Sequence, residues 1–271
     1  MAGTATERIL FIGDVVGRSG RRLLKERLPG IRREFATTLV VANGENASGG
    51  VGIGEKSARE LFAAGVDVIT TGNHVWDVRG SLEYVPTEPR ILRPLNYPPG
   101  TPGRGYGLFN TSSGREVMVV NLHGRVFINT NFDCPFRAME RVLQDFEGAP
   151  GTPILVDLHG EATSEKIAFG HAFDGRVAAV VGTHTHVQTN DARLLPRGTA
   201  YVTDLGMTGP ADGVIGVKAD IVVERFYSQI PSRFKVASGP RMLNAALLTM
   251  GDDDDACSLR EIEVINRRYD P

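Results

Sequence analysis

Only two cysteines, Cys134 and Cys257, occur in the 271 residues, and they lie far apart. They form neither a disulfide framework nor the paired spacing of a zinc knuckle, so both read as free thiols in a reducing cytosol. Nowhere do about 18 apolar residues run together, and the first residues lack the apolar core of an export signal, so the expectation is a cytoplasmic protein with no membrane partner. Charge of one sign is also missing: 30 basic against 32 acidic side chains leave a formal net charge of -2. Nothing there would hold a phosphate backbone by counterion release, and 7% aromatic content offers no base-stacking face. No stable nucleic-acid partner is expected, although a nuclease stays open. No repeat and no linker is visible, so residues 1–271 are expected to form one domain, with self-association left open.

What is present is a series of short apolar runs that stop at polar residues. Arg8 to Ile12 stops at Gly13 and Asp14, and Leu23, Leu24 and Leu28 then give helix spacing over Ser19 to Leu28. Leu39 to Ala42 stops at Asn43, Gly44, Glu45 and Asn46, before a helix over Glu55 to Ala64. Val66 to Thr70 stops at Gly72, Asn73 and His74, before a short helix around Arg79 to Tyr84. Three such units in succession predict parallel pairing. Prolines punctuate Pro86 to Gly107, which predicts a loop or edge segments. Two strands about a turn at Ser112 to Gly114 are expected over Phe109 to Leu122, and Pro135 opens a helix to about Phe146. Ile154 to Val156 stops at Asp157, Leu158 and His159, ahead of a helix over Ser164 to Phe169. Val177 to Val181 stops at Gly182, Thr183, His184, Thr185 and His186, and Tyr201 to Thr203 stops at Asp204. Met242 to Met250 and Leu259 to Ile265 predict two strands about Asp252 to Asp255, read as a solvated turn.

Five of these strands end in Asp14, Glu45 with Asn46, Asn73 with His74, His159, and His184 with His186. In sheets with helical crossovers, strand C-termini gather along one edge, so these side chains can converge. Carboxylate, amide and imidazole donors without thiolate suit manganese, iron or zinc. Seven donors suffice for two divalent ions if one carboxylate, Glu45, bridges them. His74 can carry a proton at neutral pH. Each member also has an ordinary reading: Asp14 as a helix cap, Glu45 and Asn46 as turn residues, His159 as a hydrogen-bonded strand end. The glycines at 49, 50, 52 and 54 match neither a Walker loop nor the dinucleotide fingerprint. His123 and His171 have no neighbouring donor in sequence and read as structural or exposed, Arg125 as a surface residue, and Trp76 as a packing residue.

Gly72-Asn73-His74 and Gly182 to His186 resemble two signatures of the calcineurin-like metallophosphoesterases. Phe11 to Gly17, Asn43 to Ala47 and Asp204 to Gly209 resemble segments of its YmdB-type branch, so the likeness spans most of the chain. Val16 stands where the wider superfamily places histidine, and Glu45 where its bridging residue is aspartate. The resemblance implies an α/β fold, a two-sheet mixed sandwich flanked by helices. It also implies two divalent or mixed-valence transition-metal ions, iron or manganese favoured. One would be held by Asp14, Glu45, Asn46 and His186, the other by Glu45, Asn73, His159 and His184. The implied activity is hydrolysis of a small phosphodiester such as a cyclic nucleotide, including 2',3'-cyclic ones, with His74 as general acid. The competing readings are a nuclease or phosphomonoesterase, and a metal-dependent regulatory protein that binds nucleotide without turnover.

Overall fold

The apolar runs are continuous, not alternating, because their strands are covered on both faces. The computed structural model describes residues 7–146, 151–251 and 259–270. Asp252 to Asp255 and Cys257 lie outside the described residues, and Cys134 is a half-buried free thiol. The first part of the chain forms β1 (Arg8–Ile12), β2 (Asp14–Val15), α1 (Gly17–Glu34), β3 (Leu39–Asn43), α2 (Glu55–Ala64), β4 (Val68–Thr70), α3 (Ser81–Tyr84) and β5 (Ile91–Leu92). Next come β6 (Tyr106–Asn110), β7 (Glu116–His123), α4 (Pro135–Asp145), β8 (Ile154–His159), α5 (Thr163–Ala172), β9 (Ala179–Thr183), β10 (Arg193–Leu194) and β11 (Ala200–Val202). The last are β12 (Met207–Pro210), α6 (Ala219–Ser228), β13 (Arg241–Met250) and β14 (Leu259–Tyr269).

One sheet runs β2-β12-β13-β1-β3-β4-β5, with β14 on β13, and the other runs β10-β11-β9-β8-β7-β6. β1, β3, β4 and β5 are parallel, as their succession with helices predicted, while β13 is antiparallel to β1. In the second sheet β7, β8, β9 and β11 are parallel, between antiparallel edges β6 and β10. Ile9, Phe11, Val41 and Val68 of the first sheet pack against Val117, Val119, Leu155 and Val181 of the second. The alternate residues Leu10, Ile12, Val40 and Ala42 meet Leu23, Leu24, Leu28, Ala58 and Leu61 of α1 and α2. Val120, Val156 and Leu158 likewise meet Met139 and Val142 of α4 and Phe169 of α5. The layers are therefore helix, sheet, sheet, helix, and the mixed sandwich is borne out.

The two-residue period decides where function can sit. Toward the C-terminal ends, the positions that continue each inward-facing apolar row turn polar: Asn43 after Val41, Thr70 after Val68, Asn121 after Val119, Asp157 after Leu155 and Thr183 after Val181. These five side chains are fully buried, and four of them, Asn43, Thr70, Asp157 and Thr183, bond to one another, while Asn121 Nδ2 is left without a partner among the described residues. Asp157 Oδ2 accepts from Asn43 Nδ2 at 2.9 Å and Thr70 Oγ1 at 2.5 Å, and Oδ1 accepts from Thr183 Oγ1 at 2.7 Å. Asn121 Oδ1 accepts from the Thr71 amide at 3.0 Å.

The departures are local. α1 continues past Leu28 through Pro29 because Ile31 extends its buried stripe. β8 runs on to His159, held by its register with β7 and β9. β12 is four residues long, too short to show a period, and lies between β2 and β13. α6 had no counterpart among the expected helices; Val222 is its one buried residue, so it lacks the apolar stripe that betrays a packed helix.

Asp157→Asn keeps the shape but puts an amide nitrogen where a carboxylate oxygen accepts a hydrogen bond. A loss of about 1–3 kcal/mol in stability is expected. It should appear as a lower urea midpoint with an unchanged slope; an unchanged midpoint would remove this carboxylate from the account of how the sheets are joined.

Candidate metal centre

Beyond the polar layer, the segments that leave both sheets meet at one edge. Asp14 begins β2, and it does not cap α1, whose N-cap is Val16. The Asn43 side-chain oxygen accepts from the Glu45 amide at 2.9 Å, which fixes the turn that delivers Glu45 and Asn46. His159 ends β8, and its ring lies 3.7 Å from Asp14 Oδ1 and 3.6 Å from Glu45 Oε1. Asp14 Oδ2 accepts from the His184 amide at 3.1 Å, and Glu45 Oε1 from the His74 amide at 2.9 Å. Gly72 closes the floor, for a methyl there would collide with the His159 imidazole and come within 2.6 Å of Glu45 Oε2. Asn73 and His74 follow directly, both half-buried.

The outer hydrogen bonds fix which imidazole nitrogens carry protons. His186 Nδ1 donates to Ile215 O at 2.9 Å, so Nε2 bears a lone pair, and that lone pair faces Asn46 Oδ1 at 3.0 Å. The Asn46 amide cannot be reversed without losing its Nδ2 bond to Gly50 O at 3.0 Å. His184 Nε2 donates to Glu161 Oε2 at 3.1 Å. His159 Nδ1 donates to Thr183 Oγ1 at 2.9 Å, whose own proton goes to Asp157. His184 Nδ1 and His159 Nε2, the two remaining lone pairs, therefore face each other at 3.0 Å. Acceptors turned onto acceptors repel unless a cation lies within reach of both.

The carboxylates agree. Asp14 Oδ1 and Glu45 Oε2 are buried without a hydrogen-bond partner. Burial, reinforced by the nearby Asp204 charge, holds Asp14 well above the usual carboxylate range, and burial pushes Glu45 up to about 7. Burial also lowers His159, His184 and His186, so the rings stay neutral with lone pairs available. A cation would supply the charge that these carboxylates lack. Among the described residues no three His, Cys, Asp or Glu side chains form a self-sufficient metal-binding group; the convergent set also draws on amide oxygens. The donors fit borderline divalent ions.

The backbone here is strained. His184 and His186 have φ of 106° and 65°, a region that costs non-glycine residues about 1–3 kcal/mol each. A buried ion pair holds the segment. Lys166 Nζ, from α5, reaches Asp204 Oδ2 at 2.7 Å and Thr183 O at 2.8 Å, and the same carboxylate oxygen accepts from the Thr185 amide at 3.0 Å.

A family model described as YmdB-like protein matches residues 10–265. The chain belongs to the YmdB-like family. It is 46% identical over 246 residues to a 2',3'-cyclic-nucleotide 2'-phosphodiesterase of Bacillus subtilis strain 168, covering 90% of this chain and 92% of that one. A crystal structure of a hypothetical protein from Thermus thermophilus superposes with a TM-score of 0.89 at 41% identity, covering 97% of this chain and all of that one. A phosphatase from Mycoplasma pneumoniae gives a TM-score of 0.90 at 32% identity, covering 98% and 94%.

In this YmdB-like chain all eight residues expected at the site stand at one edge of the sandwich. Trp76 packs on the helix-side core and edge-on to Tyr97, while Arg125 and His171 are exposed, as read. Of the two readings of His123, structural or exposed, the structural one holds: it is fully buried, and its Nε2 lies 3.1 Å from Asn73 Oδ1. A signal was present, because Asn121-Leu122-His123-Gly124 repeats the pattern of Asp157-Leu158-His159-Gly160, and the two segments are in register on adjacent strands. Lys166, Glu161 and Asp204 also went unassigned.

Gly72→Ala is expected to displace the His159 ring and the Glu45 carboxylate. Manganese affinity should fall at least about tenfold, measured by titrating metal-free protein, while its melting temperature changes by only a few degrees. Unchanged affinity would separate these two side chains from metal binding.

Proposed function

We propose that the chain is a metal-dependent phosphoric diester hydrolase that opens 2',3'-cyclic nucleotides at the 2' ester. One observation carries the reading: neutral imidazole lone pairs are turned onto an amide oxygen and onto each other at 3.0 Å, a set of facing acceptors that a bound cation would relieve. The similarity to the 2',3'-cyclic-nucleotide 2'-phosphodiesterase of Bacillus subtilis supports the choice of substrate. Asp14, Asn46 and His186 would hold one ion and Asn73, His159 and His184 the other, with Glu45 shared between them. Iron or manganese is favoured, since the donors are oxygen and nitrogen without thiolate. When bound, such ions supply Lewis acidity, drawing the pKa of water from about 15.7 toward about 7 and neutralising phosphoryl charge.

His74 supplies the proton. Its Nδ1 lies 2.7 Å from Asp77 Oδ2, so the carboxylate takes the Nδ1–H and leaves Nε2 for the substrate. The ring is 38% exposed, within reach of a ligand from solvent. Because the His74 amide is bonded to Glu45, acid and carboxylate keep a fixed relation. As water oxygen bonds to phosphorus and gives up one proton to solvent, from which His74 is later reprotonated, the P–O2' bond breaks and its electron pair leaves on O2'. The His74 imidazolium gives its Nε2 proton to that oxygen, and the product is a 3'-phosphate. The net charge of -2 suits a small nucleotide better than a polymer.

Elemental analysis should find about two transition-metal ions per chain, and hydrolysis of 2',3'-cyclic AMP should stop on chelation and return with metal. Metal-replete protein without turnover on this and other phosphodiesters would sink the enzymatic reading. His74→Ala should lower kcat about 10²–10⁴-fold with metal content unchanged, and full turnover in that variant would remove His74 as the acid.

A further inference from the structure

His123 shares the environment of the proposed ligands without being one of them. It stands opposite His159 in register, on the same face of the second sheet. Its ring stacks on Phe132 with centroids 4.2 Å apart and planes at 12°. Its backbone is clamped by Asn96, which accepts from His123 N and donates to His123 O, both at 2.8 Å. The ring cannot retreat from the site.

His123 Nδ1 lies 2.6 Å from Gly124 O, and a carbonyl can only accept, so Nδ1 carries the proton. Nε2 is then a lone pair, 3.1 Å from the Asn73 side-chain oxygen. The conflict resembles that between His186 and Asn46, but its resolution differs. The Asn46 amide is pinned by its bond to Gly50, whereas no other hydrogen bond fixes the Asn73 amide among the described residues. A half-turn of that amide gives an Nδ2–H donor to His123 Nε2 and turns Oδ1 away from the ring.

We propose that His123 is a positioning residue that holds the Asn73 amide nitrogen, so that Asn73 Oδ1 is presented to the metal site. The inference rests on the reading of Asn73 as a metal donor. The requirement is for a hydrogen-bond acceptor at the Nε2 position, not for an imidazole as such. Glutamine supplies an acceptor at similar reach, and leucine supplies none.

The test is calorimetric titration of metal-free wild type, His123→Gln and His123→Leu with Mn²⁺, alongside melting of the metal-free proteins. Loss of an outer-shell partner typically lowers metal affinity about 10–100-fold. His123→Leu should therefore weaken one ion by at least about tenfold, with the other within about threefold of wild type. His123→Gln should stay within about threefold at both, a rescue that general loosening of the core would not give. If the leucine variant does not fold, His123→Asn takes its place, since its shorter amide cannot reach Asn73. Wild-type affinity in the leucine or asparagine variant overturns the inference, and so does a glutamine variant as weak as leucine, which would make the imidazole itself a donor. If wild type binds no Mn²⁺, the metal reading of the whole site fails and takes this inference with it; loss confined to the variants leaves that reading standing.

Discussion

The Asp157 carboxylate is where the two sheets are tied together. It belongs to the second sheet and accepts from Asn43 and Thr70 of the first, as well as from Thr183 beside it. Burial raises it to about 6, and these three donors offset much of that cost. Everything nearer the solvent inherits its position from this contact. Asn43 fixes the turn to Glu45, Thr183 takes the His159 proton, and His159 stands two residues beyond Asp157 on the same face. Sheet packing and site geometry are thus one problem, solved at one carboxylate.

Above that layer the chain directs lone pairs and not charges. Each imidazole spends one nitrogen on an outer acceptor: Thr183 for His159, Glu161 for His184, Ile215 for His186 and Gly124 for His123. The other nitrogen is left electron-rich in a buried space, where burial holds His123 down to about 3. The arrangement is costly in isolation, and it is kept by the rigidity around it. Lys166 and Asp204 illustrate this, since an ion pair out of water repays its desolvation only when further hydrogen bonds complete it. Thr183 O, Thr185 N and Gly206 N complete this one.

Much of the fold was legible because doubly covered strands write themselves as unbroken apolar runs, and because donors at strand ends share an edge in parallel sheets. Asp14, Glu45, Asn46, Asn73, His74, His159, His184 and His186 were expected together on this ground, and the fold brings them to one edge. His123 was not, because its partner is fifty residues away and only the pairing of β7 with β8 brings it inward. Lys166 was hidden inside a stretch that reads as ordinary helix, and its burial against Asp204 is a tertiary fact with no local mark. β12 is stabilised by its neighbours and not by its own residues, so periodicity had nothing to detect. α6 buries almost nothing, so it leaves no stripe to read.

The left-handed backbone at His184 and His186 bears on how such a chain drifts. At both positions glycine is the residue the backbone itself prefers, because it alone enters that region without penalty. Backbone preference alone would therefore move these two sites toward glycine, and each step would relieve local strain while stripping the edge of a nitrogen. A copy released from its chemistry should show the loss there first, as relieved strain rather than as damage. Histidine at these positions stands against what the backbone alone would choose.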